Sequence, residues 1–496
     1  MDTNVLYYGD NLDVLRKHIP DESIDLIYLD PPFNSKRDYN IIFREAGGEE
    51  PEAQIKAFGD TWRWDRAAEQ AYQEIGRTAP GRVVDIVRAM RSGIGDGDVT
   101  AYLVMMTIRL LEFHRALKHT GSMFLHCDPT ASHYLKLVLD QIFGPGNFQN
   151  EIVWHYRGGG VSPRRFARRH DIVLFYAKGS EWTFNIDPVR EPYSEDTLER
   201  TKYKARSFRG DKVYEAWEPN PLGKHPDDVW DLQPIMPSSK ERLSYPTQKP
   251  LALLERIVLA GSNEGDILLD PFCGCGTAVI AAEKLNRQWI GIDITHLAIT
   301  VMKKRLRDSF SSIAFDVVGE PADLESARAL ASEDRYQFQW WALSLVAAKP
   351  VGDTGKRGAD RGIDGVIDLP EEKGALVRVI VSVKSGHVSV TQIRDLKGVL
   401  EREKAAMGLF VTLEAPTGPM KREAAGAGFY HSGLWQKDYP KLQILTVEAL
   451  LGGEAPDLPP FVLPAYNDAG KVSKGKTRQI RLGEALVEYE GAEVSP

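Results

Sequence analysis

The sequence has little cysteine, no long apolar run and no overall positive charge. Its three cysteines, Cys127, Cys273 and Cys275, are too few for a disulfide framework and lack the partners of a zinc site, which excludes a disulfide-built scaffold and a structural zinc module. No stretch reaches the roughly 18 to 20 apolar residues of a membrane span. Met1-Asp-Thr-Asn lacks the basic and apolar segments of an export signal, so a reducing cytoplasm is the expected location. The formal net charge of -8 does not mark a nucleic-acid binder by itself.

What is present is a globular composition, 43% hydrophobic and 27% charged over 496 residues, long enough for two or three domains. The charge is unevenly placed. Between His155 and Gly210 twelve Lys or Arg face seven Asp or Glu, a local basic excess read either as a solvated face or as a nucleic-acid footprint.

Strand patterns run over Val5–Tyr8, Ile24–Leu29, Ser122–His126, Ile172–Tyr176, Ile267–Leu269 and Trp289–Ile292, with helical patterns between several of them, including Ala101–Lys118 and Ser132–Phe143. Continuous apolar strands alternating with helices predict a doubly wound α/β domain, its parallel sheet covered on both faces. Two stretches interrupt the alternation: a polar, partly helical one over 44–100, containing Phe58-Gly-Asp-Thr-Trp-Arg-Trp64, and one rich in Gly, Pro, Arg and aromatics over 155–245.

Two motifs carry the chemistry. The strand ending at Asp270 continues into Pro271-Phe272-Cys273-Gly274-Cys275-Gly276 and a helix from Thr277, a context that lets backbone approach a ligand closely. The next strand ends Gly291-Ile292-Asp293, placing a carboxylate where a ribose diol can donate to it. A nucleoside-containing ligand follows. The third glycine of a dinucleotide fingerprint is replaced by Val279, and no Gly-Lys-Ser/Thr follows for a triphosphate.

The pattern Asp270-x-Phe272-x-Gly274-x-Gly276-Thr277 resembles the S-adenosylmethionine loop of amino-group DNA methyltransferases. Upstream, Tyr245-Pro-Thr-Gln-Lys249-Pro250 leads into a helix at Leu251–Leu259, whose N-terminus beside Lys249 suits the cofactor's carboxylate. The tetrapeptide Asp30-Pro31-Pro32-Phe33 resembles the catalytic motif of the same family, in the form that accompanies methylation of adenine N6; a Ser-led form is typical of cytosine N4. The residue types fit. An exocyclic amine is a poor nucleophile, and acceptors at Asp30 and the Pro31 carbonyl would favour a pyramidal nitrogen. The prolines hold that carbonyl in place, and Phe33 offers a stacking face for an extruded base.

The catalytic motif precedes the cofactor loop, with the basic lobe between them, an order similar to the permuted β class of the family. The resemblance spans about residues 4 to 308. It implies a Rossmann-like, circularly permuted methyltransferase domain over 1–154 and 246–310 with a helical insertion at 44–100, and a target-recognition lobe over 155–245. It also implies that Asp10 meets the cofactor's adenine, and that Arg164, Arg165, Arg168 and Arg169 contact phosphates or read bases. After a linker at 311–325, Asp364-Gly and Val381-Ser382-Val383-Lys384 in 326–453 resemble the Mrr-type branch of PD-(D/E)xK nucleases, implying a smaller α/β restriction-endonuclease-like domain. Ser382 stands where that motif has Glu or Gln, a poorer Mg²⁺ ligand than a carboxylate. Residues 454–496 read as a tail.

The expectation is a site-specific adenine-N6 DNA methyltransferase of restriction-modification or defence, using S-adenosylmethionine on double-stranded DNA. A bifunctional Mg²⁺-dependent endonuclease/methyltransferase, a DNA-binding protein without turnover, cytosine-N4 specificity and a homodimeric assembly stay open as alternatives.

Overall fold

A computed structural model describes residues 1–32, 38–41, 55–59, 64–158, 163–164, 166–202, 207–209, 212–214, 219–236, 239–243, 245, 247–351, 362–372 and 376–459. Nine strands form the main sheet: β1 (Val5–Tyr8), β2 (Ile24–Leu29), β3 (Leu117–Cys127), β4 (Phe148–His155), β5 (His170–Ala177), β6 (Val229–Asp231), β7 (Ile267–Asp270), β8 (Gln288–Asp293) and β9 (Asp316–Val318), in the order β6-β4-β5-β3-β2-β7-β8-β1-β9. Every pairing is parallel except the two made by β5, which runs against β3 and β4. The sheet is therefore mixed, not wholly parallel as the continuous apolar strands suggested.

Strand β2 explains the pattern. Leu26 and Tyr28 point into the core on one face while Ile27 and Leu29 point into the core on the other, so a strand buried on both sides has no polar alternation. One face is covered by α1 (Asn11–His18), α2 (Arg66–Thr78), α3 (Gly81–Ile94), α4 (Asp98–Ala116) and α5 (Ser132–Phe143), the other by α6 (Leu251–Gly261), α7 (Thr277–Lys284) and α8 (His296–Ser309). Trp64 joins the first face, with the Arg91 guanidinium 4.2 Å over its ring.

The chain begins on the strand beside β8, with Val5 opposite Ile290 and Tyr8 opposite Asp293, which is the permuted order. Two expected boundaries move. Strands β5 and β6 belong to the main sheet although they fall within 155–245, because β5 is a wholly apolar run from Ile172 to Ala177 that pairs along β3. The expected linker contributes β9, an edge strand on β1.

The second domain holds a five-stranded sheet: a short edge strand at Lys349–Pro350, then β10 (Gly365–Pro370), β11 (Leu376–Lys384), β12 (Met407–Thr412) and β13 (Leu442–Thr446). After α9 (Leu324–Glu333), α10 (Arg335–Leu345) packs Phe338 and Trp341 on one face of this sheet, while α11 (Val390–Arg402) packs Ile393 and Leu396 on the other. Residues 460–496 lie outside the described residues.

Candidate active site

Strands β2 and β7 are neighbours, with Leu269 opposite Ile27. Asp30 and Asp270, far apart in sequence, therefore end adjacent parallel strands at one edge of the sheet, where open α/β sheets bind ligands. A cavity of about 330 Å³ opens there, lined by Asp10, Asp30, Pro31, Lys249, Asp270 and Asp293 among others. Pro32, Phe272, Gly274 and Thr277 line it too. Phe33 and Arg165 lie outside the described residues.

The loop after β7 is built by backbone geometry. Gly274 and Gly276 have φ of 50° and 76°, the left-handed region that glycine adopts without strain. A Cβ at Gly276 would meet Met302 Cγ at 2.7 Å, and one at Gly274 would meet the Tyr245 ring at 3.2 Å. The glycines are needed for packing against protein, not only for approach to a ligand. Asp293 holds this loop: one carboxylate oxygen accepts from Gly274 N–H at 2.9 Å, the other from the Thr295 N–H at 2.9 Å and its hydroxyl at 2.8 Å. Burial still pushes its carboxyl above the usual range. Asp270, 3% exposed, is pushed well up as well, first by burial and then by the charges of Asp30 and Asp293. Thr277 opens α7 and accepts from Arg305 at 3.1 Å, while Phe272 meets Phe113 edge-on.

On the β1 side, Asp10 caps α1 through Leu12 N–H at 2.8 Å, and its two carboxylate oxygens share the Arg109 Nη2 at 2.9 and 2.8 Å. Arg109 also donates to Asn11 Oδ1 at 2.6 Å, and Asn11 donates to the Pro271 carbonyl at 2.9 Å. This chain of contacts ties the start of α1 to the glycine loop after β7. Sequence reasoning missed Arg109; the available signal was an arginine set inside the apolar run from Tyr102 to Leu111.

Lys249 does not stand apart at the start of α6. Its ammonium lies 2.6 Å from Asp30 Oδ2 and 3.4 Å from the Thr247 carbonyl, and Pro250 is the N-cap of the helix. Behind Asp30, the Tyr28 hydroxyl lies 3.3 Å from His126 Nδ1, and His126 Nε2 lies 3.3 Å from Asp171 Oδ2. Burial opposes ionisation of Asp171, but His126, Lys249 and the Tyr156 hydroxyl together outweigh it and its carboxyl sits below the usual range. Tyr28, by contrast, is raised well above the ordinary phenol value by burial.

Two independent acids on adjacent strand ends, one with a Pro-Pro sequence and one with a glycine loop, resolve the family. A family model described as DNA methylase, covering N6 and N4 enzymes, matches residues 24–304. The chain belongs to this DNA methylase family. The methylase is similar to the type II methyltransferase M.HpaI of Haemophilus parainfluenzae, 30% identical over 305 residues, spanning 61% of this chain and 74% of that one. It is also similar to the DNA adenine methyltransferase YhdJ of Escherichia coli (strain K12), 28% identical over 309 residues, spanning 62% and 83%. Among solved structures, the PvuII DNA methyltransferase (cytosine-N4-specific) aligns over 63% of this chain and 89% of that one, with 16% identity and a TM-score of 0.39.

A second family model, described as NACHT-associated inactive Restriction Endonuclease 1, matches residues 349–452 of the methylase. There the expected residues do converge. Asp364 Oδ2 accepts from Val383 N–H at 2.7 Å and the Ser382 hydroxyl at 3.1 Å, with the Lys384 ammonium at 3.5 Å. Asp364 and Ser382 are buried. No group of three or more His, Cys, Asp or Glu able to hold a metal occurs among the described residues.

In the basic stretch, Arg164 and Arg168 are exposed and Arg169 is half-buried. The Tyr156 N–H donates to the Arg169 carbonyl at 3.0 Å. Because β5 runs against its neighbours, its first residue, His170, lies at the same sheet edge as the cavity. Among the described residues no helix is long and apolar enough to cross a membrane.

Proposed function

We propose that this DNA methylase moves a methyl group from S-adenosylmethionine to N6 of adenine in double-stranded DNA, within a restriction-modification or defence system. The observation that carries the proposal is the meeting of Asp30-Pro31-Pro32 and the Asp270–Thr277 loop in one cavity. The cavity wall is rich in acids, Asp10, Asp30, Asp270 and Asp293 against Lys249 and Arg109, which suits a ligand bearing positive sulfur and an ammonium group. Such a cofactor supplies an already activated methyl, so orientation and exclusion of water carry most of the rate.

The protein's own residues then have definite tasks. Lys249 occupies Asp30 Oδ2, holding the carboxylate turned so that Oδ1 accepts one hydrogen of the amine. The Pro31 carbonyl, fixed by two successive prolines, accepts the other. Phe33 stacks on the extruded base. Asp293 holds the loop at Gly274 and presents its remaining acceptor capacity to a ribose, while Asp10 borders the base of the nucleoside. Arg164, Arg165, Arg168 and Arg169 serve the DNA backbone or base edges. The aspartate-led tetrapeptide favours adenine over cytosine.

Duplex DNA incubated with methyl-labelled cofactor and then digested to nucleosides tests the reading. Labelled N6-methyladenine that disappears with Asp30→Ala is expected. N4-methylcytosine would move the specificity, and no incorporation by the wild type would leave a DNA-binding protein without turnover.

A further inference from the structure

Helix α10 carries side chains for two different cores. Phe338, Trp341 and Ala342 are buried in the nuclease-like domain with Val381 and Leu409. Gln337 and Trp340, one helical turn apart, meet the methylase domain. Gln337 Oε1 lies 3.4 Å from the His296 N–H and 3.5 Å from the Tyr8 hydroxyl. The Tyr8 ring stacks on His296 with centroids 3.6 Å apart, and Tyr8 is the register partner of Asp293. Trp340 packs on a cluster that includes Tyr245, Cys275 and Leu297. Tyr245 and Cys275 line the cavity, and the Tyr245 ring is the surface against which Gly274 turns.

We propose that Gln337 and Trp340 are positioning residues of the methyl-donor pocket, so that the nuclease-like domain sets cofactor affinity and is in turn steadied by cofactor. The inference rests on the S-adenosylmethionine reading above. Its physical basis is the support of the pocket's outer wall. Trp340 packs on the cluster that holds Tyr245 and Cys275, the Tyr245 ring faces the Gly274 turn, and Gln337 bridges the end of β1 and the turn after β8. Close-packed side chains transmit displacement because no void absorbs it. A ligand that needs this wall in place is favoured by the docked helix, and by linkage it favours docking equally. The same helix packs against β11, the strand that carries Ser382 and Lys384, so donor occupancy reaches the base of the second constellation.

The full chain, with Trp340→Ala, Trp340→Phe and Gln337→Ala, provides the test. S-adenosylmethionine binding is measured by calorimetry, methyl transfer to duplex DNA with cofactor varied, and hydrogen exchange over residues 335–345 with and without cofactor. Trp340→Ala should raise the cofactor Kd and KM about tenfold while kcat at saturating cofactor stays within about twofold. Gln337→Ala should shift both in the same direction, and Trp340→Phe should restore most of the affinity. Cofactor should slow exchange over 335–345 in the wild type and much less in Trp340→Ala. Wild-type Kd in both alanine variants, or exchange over 335–345 indifferent to cofactor, overturns the inference. If Trp340→Ala does not fold, Gln337→Ala and Trp340→Phe decide, the first by raised Kd and the second by near-normal Kd. A wild type that binds no S-adenosylmethionine would remove the functional reading as well; a wild type that binds and methylates, with variants unaffected, would remove only this one.

Discussion

Lys249 Nζ and Asp30 Oδ2 lie 2.6 Å apart, an ion pair that joins the turn before α6 to the end of β2. Both side chains are largely buried, at 10% and 17% exposure. The pair makes the ammonium a partner of the acid proposed to orient the substrate amine, so its removal bears on catalysis more than on cofactor capture.

Lys249→Met should lower kcat by about a hundredfold, the size of effect lost with one positioned charge, with a smaller change in the cofactor KM. Steady-state methylation with cofactor varied checks both. A raised cofactor KM with normal kcat would return Lys249 to the cofactor's carboxylate.

Arg109→Met should destabilise the methylase domain by about 2 kcal/mol. Loss of one partner of a buried pair costs more than this, but the Asp10 side chain is 39% exposed and water compensates in part. Urea unfolding monitored by tryptophan fluorescence measures it. Cofactor binding should weaken too, since Arg109 and Asn11 anchor the Pro271 carbonyl.

Replacing Arg164 and Arg168 together by Ala should leave the melting temperature unchanged, as both are exposed, and should weaken DNA binding with a flatter salt dependence. Binding isotherms at several salt concentrations give the slope. An unaltered slope would remove these arginines from the DNA face.

His114 supplies a pH dependence of stability. Burial, helped by Lys178 and Arg82, pushes its imidazole down to about 4 from the ordinary 6.5. Between those values the unfolded chain binds a proton that the folded chain does not, so stability falls as pH drops from about 6.5 toward 4. His114→Phe, which keeps a ring against Phe143, should lose less melting temperature than the wild type between pH 7 and pH 5.

The nuclease-like constellation should not linearise plasmid DNA in Mg²⁺. Its described carboxylate, Asp364, receives three donors on one oxygen, and Ser382 donates to it where a metal site would want a second anion. Gel analysis with and without cofactor decides. Linear product abolished by Asp364→Ala would establish cleavage.

The sequence by itself determined the elements and the chemistry they carry. Apolar strands Ile24–Leu29 and Ile267–Asp270, their terminal acids, the glycines that follow only the second, and the order of the two motifs depend on local residue type and spacing, which the chain displays directly. Asp364, Ser382 and Lys384 were singled out by resemblance to a nuclease motif, and the fold brings the three together. Tertiary structure decided what those residues touch. Lys249 turns to Asp30, Asp10 is shared between a helix cap and Arg109, Gly276 is fitted to Met302, and β5 and β9 join the main sheet because pairing partners far along the chain accept them. Such relationships depend on which strands become neighbours, and a linear pattern does not record that. The packing of Trp340 on the cluster that holds Tyr245 and Cys275 is of the same kind, because its helix reads from sequence as part of one domain and only packing gives it a second face.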